Sequence, residues 1–158
     1  MNKTVSGAII ILLLLAAATW FLFPPPLSEA EQIVRLLKDT QAAANSGNTR
    51  RVLYSLSEQY SGAGGTKKQV RLLLIQAARE GDISLTLNTP TVTVTGDSAT
   101  VELFAQAALR QGPGSETRIN SDVTLALRKE DGKRLLVLPA RVWRIVSADV
   151  RTGTEGFF

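Results

Sequence analysis

The sequence predicts an α+β protein in which an N-terminal transmembrane helix precedes helices packed on a curved antiparallel sheet. The first observation is a run of 19 residues without charge, from Val5 to Phe23. Between residues 28 and 80, apolar residues recur every three or four positions, which is typical of amphipathic helices. From Ile83 onward they alternate with polar residues, which is typical of strands with one buried face. Helices followed by a run of strands favour an α+β domain.

The uncharged run is long enough to cross a bilayer. At about 1.5 Å per residue it spans about 28 Å, close to the thickness of the hydrocarbon region. We therefore predict a cytoplasmic tail at residues 1–4, a transmembrane anchor at 5–23 and a proline spacer at 24–27. Lys3 precedes the run and Glu29 is the first charge after it, which favours a C-terminal domain outside the cytoplasm.

A cleaved signal peptide is the alternative interpretation of this segment. The small residues at 16–18 fit a cleavage point before Thr19. Cleavage there would leave Trp20 to Phe23 as an apolar start beside three prolines, so we prefer the uncleaved anchor. The predicted location is the inner (cell) membrane, with a single span, a cytoplasmic N-terminus and a periplasmic or other extracytoplasmic domain.

Histidine and cysteine are absent from the 158 residues. Their absence excludes thiol catalysis, disulfides, a Ser-His-Asp triad and zinc sites built on Cys or His. The acidic pairs Glu29/Glu31 and Glu130/Asp131 belong to a predicted helix start and a predicted turn, so we predict no metal site and no cofactor. The net charge of +4 includes no long basic run, so nucleic acid is not a predicted partner.

Three helices are predicted in the first half of the domain. Two starts carry a capping box, in which a Ser or Thr is followed three residues later by Glu or Gln: Ser28 with Glu31, and Thr66 with Gln69. The middle helix is predicted from Thr49 to Glu58. The glycine-rich stretch 61–65 is interpreted as a flexible connector. The third helix is predicted to pack through one apolar face, formed by Val70, Leu73, Leu74, Ala77 and Ala78.

The strands follow from residue 83. Pro90 interrupts the first alternation, and Gly96-Asp97 is a turn signal. The next strand buries every second residue, namely Ala99, Val101, Leu103, Ala105, Ala107 and Leu109. We expect a loop at 111–115, a turn at Asp131-Gly132 and a last strand region from 134 to 150 that Pro139 breaks. The domain is thus predicted at 28–150, with a flexible tail at 151–158.

Three passages of the sequence resemble the nuclear-transport-factor-2-like superfamily, a cone-shaped α+β fold with a cystatin-like sheet. They are Asn45 to Asn48 with the short helix up to Tyr60, the hairpin Gly96 to Val101, and the strand Trp143 to Asp149. The resemblance covers about residues 28 to 150. The chain departs from the family pattern at Leu135 to Arg141, where the extra residues predict a bulge or a protruding loop.

The resemblance implies a cone whose interior holds a ligand or an active site. Enzymes of the superfamily use an Asp base, a Tyr donor or a His-containing pair, and no complete set is present here, so no catalytic residue is assigned. The candidate ligand-pocket residues are Tyr54, Tyr60, Phe104, Trp143 and Asp149. Each has a structural alternative: core packing for the aromatic residues, and a solvated strand end for Asp149.

The leading hypothesis is a membrane-tethered, non-catalytic module that binds a partner protein or a small apolar ligand. Its bilayer contact is residues 5–23. The resemblance also implies a homodimer, since members of the superfamily often dimerise through the sheet. Phe104 and Ala108 fit this, because they give the second face of their strand some apolar character. The alternatives are an isomerase or dehydratase that acts on a small hydrophobic substrate through Tyr54, Tyr60 or Asp149, and an accessory subunit of an envelope assembly.

Overall fold

The computed structural model describes residues 27–112, 115–134 and 138–152. The predicted cytoplasmic tail, the anchor at 5–23, the prolines of the spacer and the last six residues of the predicted tail lie outside these ranges. Within them, no helix combines the length and the apolar character needed to cross a bilayer.

The described helices are α1 (Glu29–Asn45), α2 (Thr49–Ser55) and α3 (Lys67–Glu80). Both predicted capping boxes are present: the carboxylate of Glu31 accepts from the Ser28 N–H at 2.8 Å, and the Gln69 carboxamide accepts from the Thr66 N–H at 2.8 Å. α2 is shorter than the predicted span to Glu58. It ends because Leu56 is extended and bridges to Ile145 in parallel.

The glycine-rich stretch is a small hairpin, so its interpretation as a flexible connector was wrong. β1 (Ser61–Gly62) and β2 (Gly65–Thr66) pair in antiparallel fashion. The Ala63 N–H donates to the carbonyl oxygen of Ala148 at 2.8 Å, which holds the hairpin against the last strand. A Cβ atom on Gly62 would lie 2.6 Å from the backbone nitrogen and oxygen of Ala148, so this position requires glycine.

The main sheet has five antiparallel strands: β3 (Asp82–Leu87), β4 (Thr91–Thr95), β5 (Ser98–Gly112), β6 (Ser115–Arg134) and β7 (Leu138–Thr152). The order is β3-β5-β6-β7, and β4 continues along the same edge of β5 as β3. Pro90 lies between β3 and β4, as predicted. There the Asn88 N–H donates to the carbonyl oxygen of Phe104 at 3.0 Å, and the Asn88 side-chain oxygen accepts from the Phe104 N–H at 2.7 Å.

The β6–β7 hairpin is longer than the sequence predicted. The predicted turn at Asp131-Gly132 was wrong, because both residues belong to β6 and pair with Arg141 and Ala140. Gly132 is present for a close approach, since a Cβ atom there would lie 2.6 Å from a methyl of Val142. The expected break at Pro139 was also wrong, since proline is tolerated in an edge strand such as β7.

Two further expectations about strand ends need correction. The loop expected at 111–115 is shorter, because β5 extends to Gly112 and β6 begins at Ser115. The predicted tail begins later, because β7 continues to Thr152. The pairing register shifts at Gln111 in β5 and at Val146 in β7, where Ala126 pairs with Ser147 and Leu127 pairs with Ile145. The bulge or protruding loop predicted at Leu135 to Arg141 falls partly on residues 135–137, outside the described ranges.

The core lies between α1 and one face of the sheet. Ile33 and Leu127 are 0% and 1% exposed. Around them pack the other members of the buried apolar cluster, namely Leu37, Leu56, Tyr60, Ala99, Val101, Leu103, Leu125, Trp143 and Ile145. The inward face predicted for β5 is confirmed at Ala99, Val101 and Leu103. The packed face predicted for α3 was wrong in part: Leu73 is 53% exposed and Ala78 is also exposed, so this helix covers the sheet only partly.

Candidate functional site

A groove of about 460 Å³ runs between α1, α2 and β7, and we call it the α1–α2–β7 groove. One wall of the groove is a face of α1, to which successive helical turns each contribute, because residues three or four positions apart lie on the same side of a helix. Tyr54 of α2 and the start of β7 form the rest. The lining residues are Leu27, Gln32, Arg35, Leu36, Asp39, Tyr54, Ala140, Arg141, Val142 and Trp143.

Trp143 joins this groove to the core. Its side chain is only 6% exposed, and the Lys129 ammonium lies 5.2 Å from the ring centroid. Lys129 is in turn paired with Glu29 at the start of α1. The indole Nε1–H is buried and has no hydrogen-bond partner among the described residues. An unsatisfied buried donor costs about 1–3 kcal/mol, so an acceptor that reached it would be favoured.

Tyr54 presents an exposed aromatic ring that is nevertheless fixed in place. The ring is part of a side chain that is 55% exposed, and the guanidinium of Arg144 lies 4.2 Å from its centroid. The same guanidinium donates to the carbonyl oxygen of Tyr54. Because Arg144 holds both the ring and the backbone, the orientation of Tyr54 is set before any ligand arrives.

Arg144 is itself held by a partly buried polar network. Its Nε lies 3.9 Å from the carboxylate of Glu130, which accepts a hydrogen bond of 2.5 Å from the Ser57 hydroxyl. Ser57 is 1% exposed, and its oxygen also accepts from the Gln59 N–H at 3.1 Å. The short bridge from Leu56 to β7 places Ser57 beside Glu130. This network therefore connects the sheet to the wall of the groove.

The charged residues of the groove differ in their partners. Arg141 donates twice to the carboxylate of Asp97, at 2.9 and 3.0 Å, and Asp39 lies 3.9 Å from Arg51. Arg35 has no acidic group within 4.0 Å among the described residues. Arg35 is thus the guanidinium of the groove that forms no ion pair within the described residues, and Asp39 lies one helical turn away on the same helix.

Other depressions lie elsewhere on the domain, and two of them border the sheet. One, of about 190 Å³, is the apolar mouth of the cone between α1 and the β3–β4 connection, beside Val34, Leu37 and Leu103. The other, of about 530 Å³, is a polar depression on the outer face of β3, β5 and β6. There Glu116 pairs with Arg110 and Arg118, and both arginine side chains are largely exposed. Neither depression contains a residue predicted as a pocket residue.

The five predicted pocket residues do not converge. Tyr54 and Trp143 share the α1–α2–β7 groove. Tyr60 is buried in the core, where its hydroxyl donates to the Ala63 carbonyl oxygen at 2.8 Å and burial raises the pKa of its phenol. Phe104 is half-buried on the outer face of β5. Asp149 is exposed on β7 and lies 3.5 Å from Arg151.

The sequence interpretation did not identify the α1 side of the groove. Neither Arg35 nor Asp39 belongs to any predicted site. The available signal is that Leu36 lies three residues after the buried Ile33 and therefore shares its side of the helix. In the described residues, no three acidic side chains are grouped so as to hold a metal ion.

Comparisons with known proteins identify the fold of the chain but no relative by sequence. No family model and no curated protein matches the chain. Solved structures do match in three dimensions. An NTF2-like protein with a cystatin-like fold from Novosphingobium aromaticivorans is 18% identical, with a TM-score of 0.61 over 99% of this chain and 94% of that chain.

Two further structures share the architecture. A candidate scytalone dehydratase from Novosphingobium aromaticivorans is 13% identical, with a TM-score of 0.67 over 82% of this chain and 89% of that chain. A candidate calcium/calmodulin-dependent protein kinase II association domain from Xanthomonas campestris is 18% identical. Its TM-score is 0.64 over 84% of this chain and 93% of that chain. The chain therefore has the NTF2-like, cystatin-like α+β cone fold, as the resemblance in its sequence predicted.

Proposed function

We propose that this chain is a membrane-tethered, non-catalytic binding module whose ligand occupies the α1–α2–β7 groove. The observation that carries the proposal is that two aromatic side chains, Tyr54 and Trp143, line one open groove of about 460 Å³. Pockets for small ligands are concave, largely preformed and lined by aromatic and apolar groups with a few polar ones. The groove has this composition, and the Arg144 network preorganises it.

The alternative is an isomerase or dehydratase, and the fold shared with the candidate scytalone dehydratase supports it. Such an enzyme needs ionisable groups that meet at one substrate, with pKa values suited to proton transfer. The three residues considered for this role lie apart: Tyr54 in the groove, Tyr60 in the core with its hydroxyl already bonded, and Asp149 on the exposed end of β7. This separation favours the binding module.

The groove is tested by binding of small aromatic compounds to the full chain in a neutral detergent. We expect saturation-transfer NMR with a set of such compounds to detect binders, and Tyr54→Ala to weaken them about tenfold, since an aromatic contact contributes about 0.5–1.5 kcal/mol beyond its buried area. Phe104→Ala is the matched control on the outer face. Binding that survives Tyr54→Ala but is lost in Phe104→Ala would contradict the proposal.

The tether rests on the 19 uncharged residues that precede the spacer. A segment of this length suits one span, and the charges on either side favour a domain outside the cytoplasm. The full chain is expected to remain with the membrane after extraction with alkaline carbonate. Its release by carbonate would overturn the tether, although groove binding would stand.

The homodimer through the sheet stays a prediction, and the outer face gives it limited support. On β5, the half-buried Phe104 and Ala108 alternate with the exposed polar residues Glu102, Gln106 and Arg110. Interfaces between protein copies usually have a core depleted in charge. The groove therefore carries the functional proposal, and the sheet face does not.

A further inference from the structure

We infer that the groove selects an anion: a compact aromatic or apolar body that carries a carboxylate. This inference rests on the proposed function and narrows its ligand class. The apolar walls accept the body, while Arg35 supplies a charge that a neutral ligand would leave unused. Pockets of about 300–1,000 Å³ bury most of a small organic molecule, so a body of one or two rings suits the groove.

Most charged groups in and beside the groove already have a partner of opposite charge. Arg141 is held by two hydrogen bonds to Asp97, and Asp39 is beside Arg51. Lys129, which covers the Trp143 ring, is paired with Glu29. Arg35 lines the groove without an acidic neighbour within 4.0 Å in the described part of the chain. A guanidinium forms its strongest hydrogen bonds with carboxylates, often through two parallel contacts.

The Trp143 indole supplies a second, independent observation. Its Nε1–H is the one buried side-chain nitrogen or oxygen group in the described residues that lacks a hydrogen-bond partner. An indole N–H only donates, so it requires an acceptor. A carboxylate carries only acceptors, whereas a purely apolar ligand would leave the donor unsatisfied. Arg35 and Trp143 both line the groove, and both are donors that favour a ligand with acceptor oxygens.

The test compares 1-naphthoate with 1-naphthamide, which share the ring system but differ in charge. Both are titrated at neutral pH into the full chain in a neutral detergent, and the indole Nε1–H resonance of Trp143 is followed by NMR. Trp143→Phe assigns that resonance against the one from Trp20. We expect 1-naphthoate to bind about tenfold more tightly, since a charge-assisted hydrogen bond is roughly twice as strong as a neutral one.

Variants separate the charge from the groove. Arg35→Gln is expected to remove the tenfold preference for 1-naphthoate and to leave 1-naphthamide unaffected. Arg151→Gln, which removes an exposed arginine next to Asp149, is the matched control and is expected to change neither. Equal binding of both compounds, unchanged in Arg35→Gln, would overturn the anion selectivity while the binding module stands. If neither compound shifts the Trp143 indole resonance, both the anion selectivity and the proposed binding in the groove are overturned.

One further arm identifies the source of the anion. The full chain is placed in nanodiscs of phosphatidylcholine or of phosphatidylglycerol, without added compound. We expect the Trp143 resonance to be the same in both and to move only when 1-naphthoate is added. A shift in phosphatidylglycerol alone would replace the small carboxylate with a lipid phosphate and overturn the inference as stated.

Discussion

Trp143→Ala is expected to lower the free energy of unfolding by about 3–5 kcal/mol, the range for removing a large aromatic side chain from a core. Trp143 is 6% exposed and belongs to the cluster that joins α1 to the sheet. Its loss also removes the surface on which the Lys129 ammonium rests. Urea denaturation followed by circular dichroism measures the change. A loss below about 1 kcal/mol would show that Trp143 is not part of the core.

Trp143→Phe is the matched variant, because it keeps an aromatic ring but removes the unpartnered indole N–H. We expect this change to cost less than the alanine variant, since a smaller cavity is created and a buried donor without an acceptor disappears. Equal losses for phenylalanine and alanine would mean that the N–H is satisfied in solution. That result would also remove one of the two observations behind the anion inference.

Arg144→Ala is expected to lower the free energy of unfolding by about 2–4 kcal/mol. The Arg144 side chain is 15% exposed, so the loss is only weakly screened by solvent. The variant removes the donor to the Tyr54 carbonyl oxygen, the cation over the Tyr54 ring and the counter-charge of Glu130. Removing one partner of a partly buried pair leaves the other charge uncompensated. Chemical denaturation measures the loss, and the NMR signals of the Tyr54 ring should show new mobility.

The neighbouring strand supplies the control for this prediction. Arg128 lies directly opposite Arg144 in the β6–β7 ladder, but it is exposed. Arg128→Ala is expected to change stability by no more than about 0.5 kcal/mol, the usual range for a surface position. If both alanine variants cost the same, the Ser57–Glu130–Arg144 network does not hold α2 to the sheet, and Tyr54 is not preorganised.

Local chemistry made much of the fold predictable. A hydroxyl at an N-cap and an amide or acid three residues later are satisfied within one turn of chain, so Ser28 and Thr66 marked two helix starts from sequence alone. The alternation from Ala99 to Leu109 likewise identified the buried face of β5, because successive residues of a strand point to opposite sides. These signals depend on neighbours a few residues away.

Glycines at close approaches were misread because their reason lies far along the chain. Gly132 sits next to an aspartate, which is typical of a turn, yet its lack of a side chain makes room for Val142. Gly62 makes room for the backbone of Ala148. No local pattern distinguishes a glycine needed for a turn from one needed by a distant neighbour, so both errors have the same physical origin.

The site was predictable only in part for the same reason. Aromatic residues are scarce in this chain, which made Tyr54 and Trp143 candidates on their own. Arg35, by contrast, becomes informative only when the structure shows Asp39 and Arg141 with partners and Arg35 without one. Phe104 and Asp149 were grouped with them, but strand alternation and the bulge at Val146 put them elsewhere.

Hydrogen–deuterium exchange of the full chain, with and without saturating 1-naphthamide, shows whether a ligand occupies the α1–α2–β7 groove. The neutral probe is chosen because its binding does not depend on the charge of Arg35. We expect slower exchange in residues 32–39 and 140–143, the two backbone walls of the groove. Slower exchange at 87–90 with no change at 140–143 would place the ligand at the mouth of the cone, and no protection at either place would contradict a binding groove altogether.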